Sequence, residues 1–241
     1  MKDLINKIIQ GDCLEVMKDI PDKSIDMILC DLPYGTTACK WDTIIPFEPL
    51  WKEYKRIIKD NGAIVLTASQ PFTSKLVMSN IKMFKYEWIW NKVIGSGFQI
   101  AKYRPLSQTE DICIFGRGKV KYNPQKIKRD KPIQGYATQS EHLPKGKFDK
   151  KMRVYTDKHP TTLISFRKVK GTIHPTQKPV ALFEYLIKTY TNEGDLVLDN
   201  CAGSGTTGVA CKNLNRNYIL IEKEEKYCKI ARQRLRQEVL I

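Results

Sequence analysis

The 241 residues are 41% hydrophobic, enough to bury a full core as one large domain or as one domain with an insert, which excludes a disordered or fibrous chain. Forty-one Lys and Arg against 26 Asp and Glu leave a net charge of +15, which favours a polyanionic partner, nucleic acid first, because neutralised phosphates release condensed counterions. No stretch approaches the roughly 20 apolar residues of a membrane helix, and MKDLINKIIQGD has acids too early for a signal peptide, so a cytoplasmic protein with no membrane partner is expected.

Short apolar runs bounded by turn residues predict strands at 25–31 (IDMILCD), 63–69 (AIVLTAS), 86–90 (YEWIW), 111–116 (DICIFG), 195–200 (DLVLDN) and 217–222 (NYILIE). Helical patterns fall at 49–59, 71–79, 180–190, 206–214 and 223–239, the last with Tyr227, Ile230, Ala231 and Leu235 on one face. Strand and helix in alternation predict an α/β doubly wound sheet. Residues 117–170 break the alternation. They are polar, poor in aliphatic runs, and hold 16 basic and 4 acidic residues, so most of the charge surplus sits in this one segment, an insert beside the sheet or a partly disordered lobe. The expected division is therefore 1–116, a basic insert at 117–170, and 171–241.

The seven cysteines, at 13, 30, 39, 113, 201, 211 and 228, are odd in number and never spaced as Cys-x-x-Cys, and the three histidines are scattered. Neither a disulfide framework nor a metal site is indicated, and reduced, mostly buried thiols are expected.

Two loops carry chemistry. The first, CDLPYGTT, leaves the strand at 25–31 with Asp31, Leu32, Pro33 and Tyr34, then Gly35. The second, LVLDNCAGSGTTGVA, reads as strand, glycine-rich turn and helix, a cradle that lets backbone approach a ligand at a helix N-terminus. Gly203-x-Gly205-x-x-Gly208 satisfies the dinucleotide fingerprint, a weak match by itself. The strand ends in Asp199, however, and three residues precede the first glycine. An acid there repels pyrophosphate and suits a cation, as S-adenosylmethionine carries in its sulfonium and ammonium. Glu222 closes the next strand, where a carboxylate accepts both hydroxyls of a ribose; the plain alternative is a surface glutamate in an acidic and basic run.

DLPYG, HPTQKPVALFEYLIKTY, LDNCAGSGTT and YILIEKEEKYCKIARQRL together resemble the amino-group DNA methyltransferases of the β-class, in which the catalytic motif precedes the cofactor motif. GDCLEVMKDIPDKSIDMILCDLPYG also looks like that family. The resemblance spans both ends of the chain and leaves the insert unmatched. It implies a Rossmann-like class I methyltransferase fold in permuted order, S-adenosylmethionine as cofactor and double-stranded DNA as partner. A homodimer and a cognate restriction enzyme are further partners it admits. Asp12, in the Gly-Asp pair, would stand near the cofactor adenine with Cys13 beside it; Asp199, Cys201, Gly203, Gly205, Thr206 and Glu222 would complete the cofactor site. Lys178 would reach the methionine carboxylate, or else be a solvated first-turn lysine, and Thr176 and Gln177 are weaker candidates. The insert would recognise the target. Two departures stand out: Leu32 replaces the first proline of the usual Asp-Pro-Pro-Tyr, and Asn200-Cys201 replaces the usual Pro-Phe, removing an aromatic cofactor contact.

The chemistry explains the catalytic loop. An exocyclic amine is a poor nucleophile because its lone pair is delocalised into the base, so both amino hydrogens must be held by acceptors. Asp31 supplies one, and a main-chain carbonyl at Leu32 or Pro33, aimed by proline rigidity, supplies the other. Tyr34 would stack on the flipped base. In the family an Asp at this position accompanies adenine more often than cytosine, so adenine is the expected target. Competing readings are an N4-cytosine enzyme, an enzyme of the same fold acting on RNA or protein glutamine, and a silent DNA-binding module. Trp88 and Trp90 read as core before base platforms. IGSGFQIAKYRP, with Phe98, Tyr103 and Arg104, is a candidate wall of the base pocket.

Overall fold

Every residue of Ile25–Cys30 is buried, with apolar side chains on both sides of the run as a strand covered on both faces requires, and the one charged residue, Asp26, paired with Lys59 and accepting from Leu196 N–H. The computed structural model describes residues 3–36, 39, 42–135, 152–169 and 177–236. In chain order its elements are β1 (Lys7–Gln10), α1 (Cys13–Val16), β2 (Ile25–Asp31), α2 (Phe47–Ile57), β3 (Ile58–Ala68), α3 (Phe72–Ser79), β4 (Phe84–Ser96), β5 (Ser107–Phe115), β6 (Ile127–Gly135), β7 (Arg153–Lys158), β8 (Leu163–Ser165), α4 (Val180–Tyr190), β9 (Leu196–Asp199), α5 (Thr206–Asn213), β10 (Asn217–Glu222) and α6 (Glu225–Arg236). Met1–Asn123 with Thr162–Ile241 make one compact unit, and Pro124–Thr161 makes another.

The first unit is built on an eight-stranded sheet in the order β1-β10-β9-β2-β3-β5-β4-β8. From β1 to β3 neighbouring strands run parallel; β5 is antiparallel to β3 and β4, and β8 is parallel to β4. The period of two sorts side chains onto two faces. Ile28, Cys30, Ile64, Leu66, Leu198 and Ile219 meet Leu50, Trp51 and Tyr54 of α2 and Phe72 and Leu76 of α3. Met27, Leu29, Val65, Val197 and Leu220 meet α4, α5 and α6 through Leu186, Tyr190, Cys211 and Ala231. Each fully buried Leu, Ile, Val, Met or Phe among them contributes about 1.5–3 kcal/mol, so both faces pin the register. The doubly wound α/β class is thus observed. Trp88 and Trp90 are core, their indole N–H groups donating to Tyr190 Oη and the Phe166 carbonyl.

Several expected bounds shift. The helix read at 49–59 runs from Phe47 to Ile57, because Ile58 turns extended (φ −73°, ψ 137°) to pair with Ile25 and bury its side chain. β1 escapes a periodicity reading because four residues show no pattern. The insert is narrower than 117–170: Lys121 N–H donates to the Asn61 carbonyl, Asn123 N–H to that of Thr189, and β8 joins the main sheet beside β4. Pro124–Thr161 holds β6 and β7 as an antiparallel ribbon pairing Ile127 with Lys158 and Gln134 with Val154. Residues 136–151, 170–176 and 237–241 of the expected insert, HPTQKP motif and final helix lie outside the described residues.

Candidate active site

Parallel strands that end at one edge deliver their last residues to one place, and a sheet whose strand order reverses there opens a crevice. In this sheet β2, β9 and β10 end in Asp31, Asp199 and Glu222, and Asp12 lies two residues beyond β1. Around them is a cavity of about 670 Å³. Asp12, Cys13, Asp31, Leu32, Pro33, Tyr34, Lys178, Asp199, Cys201, Gly203, Thr206 and Glu222 all line it. Gly205 does not. Its left-handed φ of 78° starts α5, and an added Cβ would come within 2.8 Å of Ala231 Cβ, so Gly205 serves the packing of α5 on α6. Thr176 lies outside the described residues, and Gln177 is on the wall.

Asp31 is braced on both oxygens. Tyr34 donates to Oδ1 at 2.7 Å, Thr67 donates to the same oxygen, and the Lys178 ammonium meets Oδ2 at 2.8 Å. The Tyr34 hydroxyl also lies 3.1 Å from Thr67 Oγ1, and its ring stacks on Phe72 with centroids 5.1 Å apart. Burial, then the Asp31 charge, holds Tyr34 well above the usual phenol range, so it remains a donor. Gly35 turns the chain away at φ 67°, and the Asp42 carboxylate receives the N–H groups of Gly35 and Thr36 at 2.8 and 2.9 Å. Asp42 thereby fixes the loop that aims Leu32 and Pro33.

Lys178, expected at a methionine carboxylate or as a solvated first-turn lysine, is not solvated: it is buried on the cavity wall with its ammonium between Asp31 and Glu110, 3.3 Å from Glu110 Oε2. Burial alone would lower its pKa, but the two carboxylates outweigh that and the net shift is upward, so the lysine stays charged. Lys92, also buried, pairs with Glu110 Oε1 at 3.3 Å. Two cations and two anions thus share one wall, a compensation that buried charges require. Glu110 Oε2 and Gln177 Oε1 are buried without a hydrogen-bond partner among the described residues, the Lys178 contact being an ion pair without hydrogen-bond alignment. Both residues line the cavity.

The other end of the cavity is walled by carboxylates. Asp12 caps α1, accepting from Leu14 N–H at 3.0 Å. Glu222 accepts from Gly203 N–H at 2.7 Å and Glu224 N–H at 2.8 Å, and burial raises its pKa against the pull of those two bonds. Asp199, expected to attract a cation, turns inward: it accepts from Cys201 N–H and the Thr207 hydroxyl, and burial pushes it up to about 7. It clamps the glycine loop. The Cys13 thiol is raised far above its usual range by its hydrogen bond with Cys201 and by burial, and Cys201 likewise stays protonated. Tyr54 donates to Asn200 Oδ1 at 2.5 Å from beneath. Carboxylates at this end disfavour a pyrophosphate and fit a ligand with a cation and hydroxyl donors, as S-adenosylmethionine has. Among the described residues no group of three or more His, Cys, Asp or Glu is arranged to hold a metal ion.

Sequence reading missed Thr67, Glu110, Lys92 and Asp42. A polar Thr inside the apolar AIVLTA run was the one visible signal; Glu110 carries none, because only the antiparallel β5 brings it to this edge. Of the loop 97–106, Gly97 and Arg104 line the cavity, whereas Phe98 and Tyr103 stand outside its wall.

The family model described as DNA methylase matches residues 25–233. Among curated relatives, the Type II methyltransferase M.HinfI of Haemophilus influenzae is 31% identical, covering 98% of this chain and 70% of its own. The Type II methyltransferase M.HpaI of Haemophilus parainfluenzae is 29% identical over 96% and 74%. Among solved structures, the M1.HpyAVI–SAM complex superposes with a TM-score of 0.65 at 27% identity, covering 95% of this chain and 99% of that one. The cytosine-N4-specific PvuII DNA methyltransferase gives 0.71 at 16% identity over 97% and 87%, a likeness of fold alone.

Proposed function

This chain belongs to the DNA methylase family, and from that membership we propose that it methylates the exocyclic nitrogen of an adenine flipped out of duplex DNA at a specific sequence. It is a site-specific DNA methyltransferase, and S-adenosylmethionine is its methyl donor, supplying an electrophilic methyl on a sulfonium centre. The observation that carries the proposal is the braced carboxylate of Asp31 in the same cavity as Glu222 and the glycine loop.

Asp31 accepts one amino hydrogen of the target and the Leu32 or Pro33 carbonyl accepts the other, which frees the nitrogen lone pair. Tyr34, Thr67 and Lys178 hold the carboxylate in place and aimed. Tyr34 offers its ring to the base. Glu222 binds the ribose hydroxyls, Asp12 and Cys13 border the cofactor adenine, and Cys201, Gly203 and Thr206 shape the loop around the donor. Trading base pairing for protein contacts costs a few kcal/mol, which cavity contacts and the basic segment at 117–170 offset. The relatives' naming as Type II methyltransferases supports a companion restriction enzyme as a partner. An acid as the first residue of the catalytic motif favours adenine. Digesting DNA treated with the purified enzyme to nucleosides and weighing them tests this: N6-methyladenine is expected, and N4-methylcytosine alone overturns the choice of base.

A further inference from the structure

The connection between β4 and β5 has two sides. Ser96, Gly97 and Arg104 line the cavity. Phe98 and Tyr103, on the same short loop, are 68% and 87% exposed, with Ile100 and Leu106 partly so. The loop is built rather than slack: Gly97 sits at φ 91°, residues Phe98–Ile100 form a turn of 3-10 helix, and the Tyr103 and Arg104 N–H groups both donate to the Ile100 carbonyl. An ordered turn thus presents two large rings to solvent beside the cavity mouth residues Gly97 and Arg104. No acid stands between Val93 and Gln108, while Lys102 and Arg104 flank Tyr103, so the apolar rim carries a positive charge suited to a polyanion.

We propose that Phe98 and Tyr103 form a wedge that enters the DNA stack beside the target nucleotide and fills the space vacated when the base enters the cavity. The inference rests on the reading of the cavity as a base-methylating site. A flipped base leaves a gap whose neighbours have lost a stacking face, and an aromatic ring restores that face where an aliphatic chain would only exclude water. Arg104 bridges the two regions, its neighbour Tyr103 outside and its own side chain on the cavity wall.

The test uses a duplex carrying the enzyme's site, mapped by modified-base sequencing, in two forms: fully matched, and with an abasic position opposite the target. Single-turnover methyl transfer is measured for wild type, Phe98→Ala, Tyr103→Ala and the double variant, with S-adenosylmethionine binding as the check on folding. The double variant is expected to lose at least tenfold on the matched duplex and to return to within threefold of wild type on the abasic duplex, where opening the pair costs less. An unchanged rate on the matched duplex, or an equal loss on both, overturns the wedge while leaving the methyltransferase reading intact. Modified-base sequencing that finds no methylated site in DNA treated with the wild-type protein overturns that reading and the wedge with it.

Discussion

Replacing Thr67 with Val isolates the brace on Asp31. Thr67 is fully buried, does not line the cavity, and donates to Asp31 Oδ1 while lying 3.1 Å from the Tyr34 hydroxyl. Valine keeps the branched shape and removes only the hydroxyl. Tyr34 retains Asp31 as its acceptor, so no buried donor is orphaned. The change removes one hydrogen bond to a charged acceptor, about 1.5–3 kcal/mol. If that bond aims the carboxylate during methyl transfer, it converts at about 1.4 kcal/mol per tenfold into a rate loss of about 10- to 150-fold. Single-turnover transfer of radiolabelled methyl to duplex DNA measures the rate, and calorimetry measures S-adenosylmethionine affinity, which should not change. A folded variant with wild-type turnover would show that the Thr67 bond is architectural and that Asp31 needs no such aim.

Glu222→Ala should weaken S-adenosylmethionine binding by about 1.5–3 kcal/mol in calorimetry, and unchanged affinity removes Glu222 from the cofactor site. Asp199, usually at 3.8, is raised to about 7 by burial, so the fold favours its protonated form. The stability it contributes is full below about pH 4 and is lost as pH rises toward 7, at about 1.4 kcal/mol per unit. Asp199→Asn should therefore gain on wild type in urea unfolding between pH 5 and 7, and a pH-independent difference contradicts the buried carboxylate. In the ribbon of β6 and β7, Lys128, Lys131 and Lys158 are exposed. Exchanging all three for Gln should flatten the slope of log affinity for DNA against log salt by about 0.9 for each phosphate no longer neutralised, and an unchanged slope means the ribbon faces away from DNA.

The strand ends are legible because each apolar run terminates in an acid, as IDMILCD, LVLD and NYILIE do, and one sheet edge has to collect them. The brace is not. Lys178 and Asp31 are 147 residues apart, and opposite charges separated by that much chain reveal no pairing until β2 and the approach to α4 are placed together. Glu110 falls just outside the run read as a strand at 111–116, and its position depends on β5 running against β3, a direction that hydrophobic patterning does not encode. Asp199 reads as a ligand because its side chain ends a strand; Thr207, in the first turn of α5, captures it. β8 is hidden because three residues in a polar stretch gain their strand character from β4 alone.

The central claim is that Asp31 activates the target amine and leaves cofactor and DNA binding to other groups. Asp31→Ala tests it most directly, with methyl transfer, S-adenosylmethionine affinity and DNA affinity measured on one preparation. Transfer is expected to fall below detection with both affinities within a few-fold of wild type; turnover retained within a few-fold contradicts that role of Asp31.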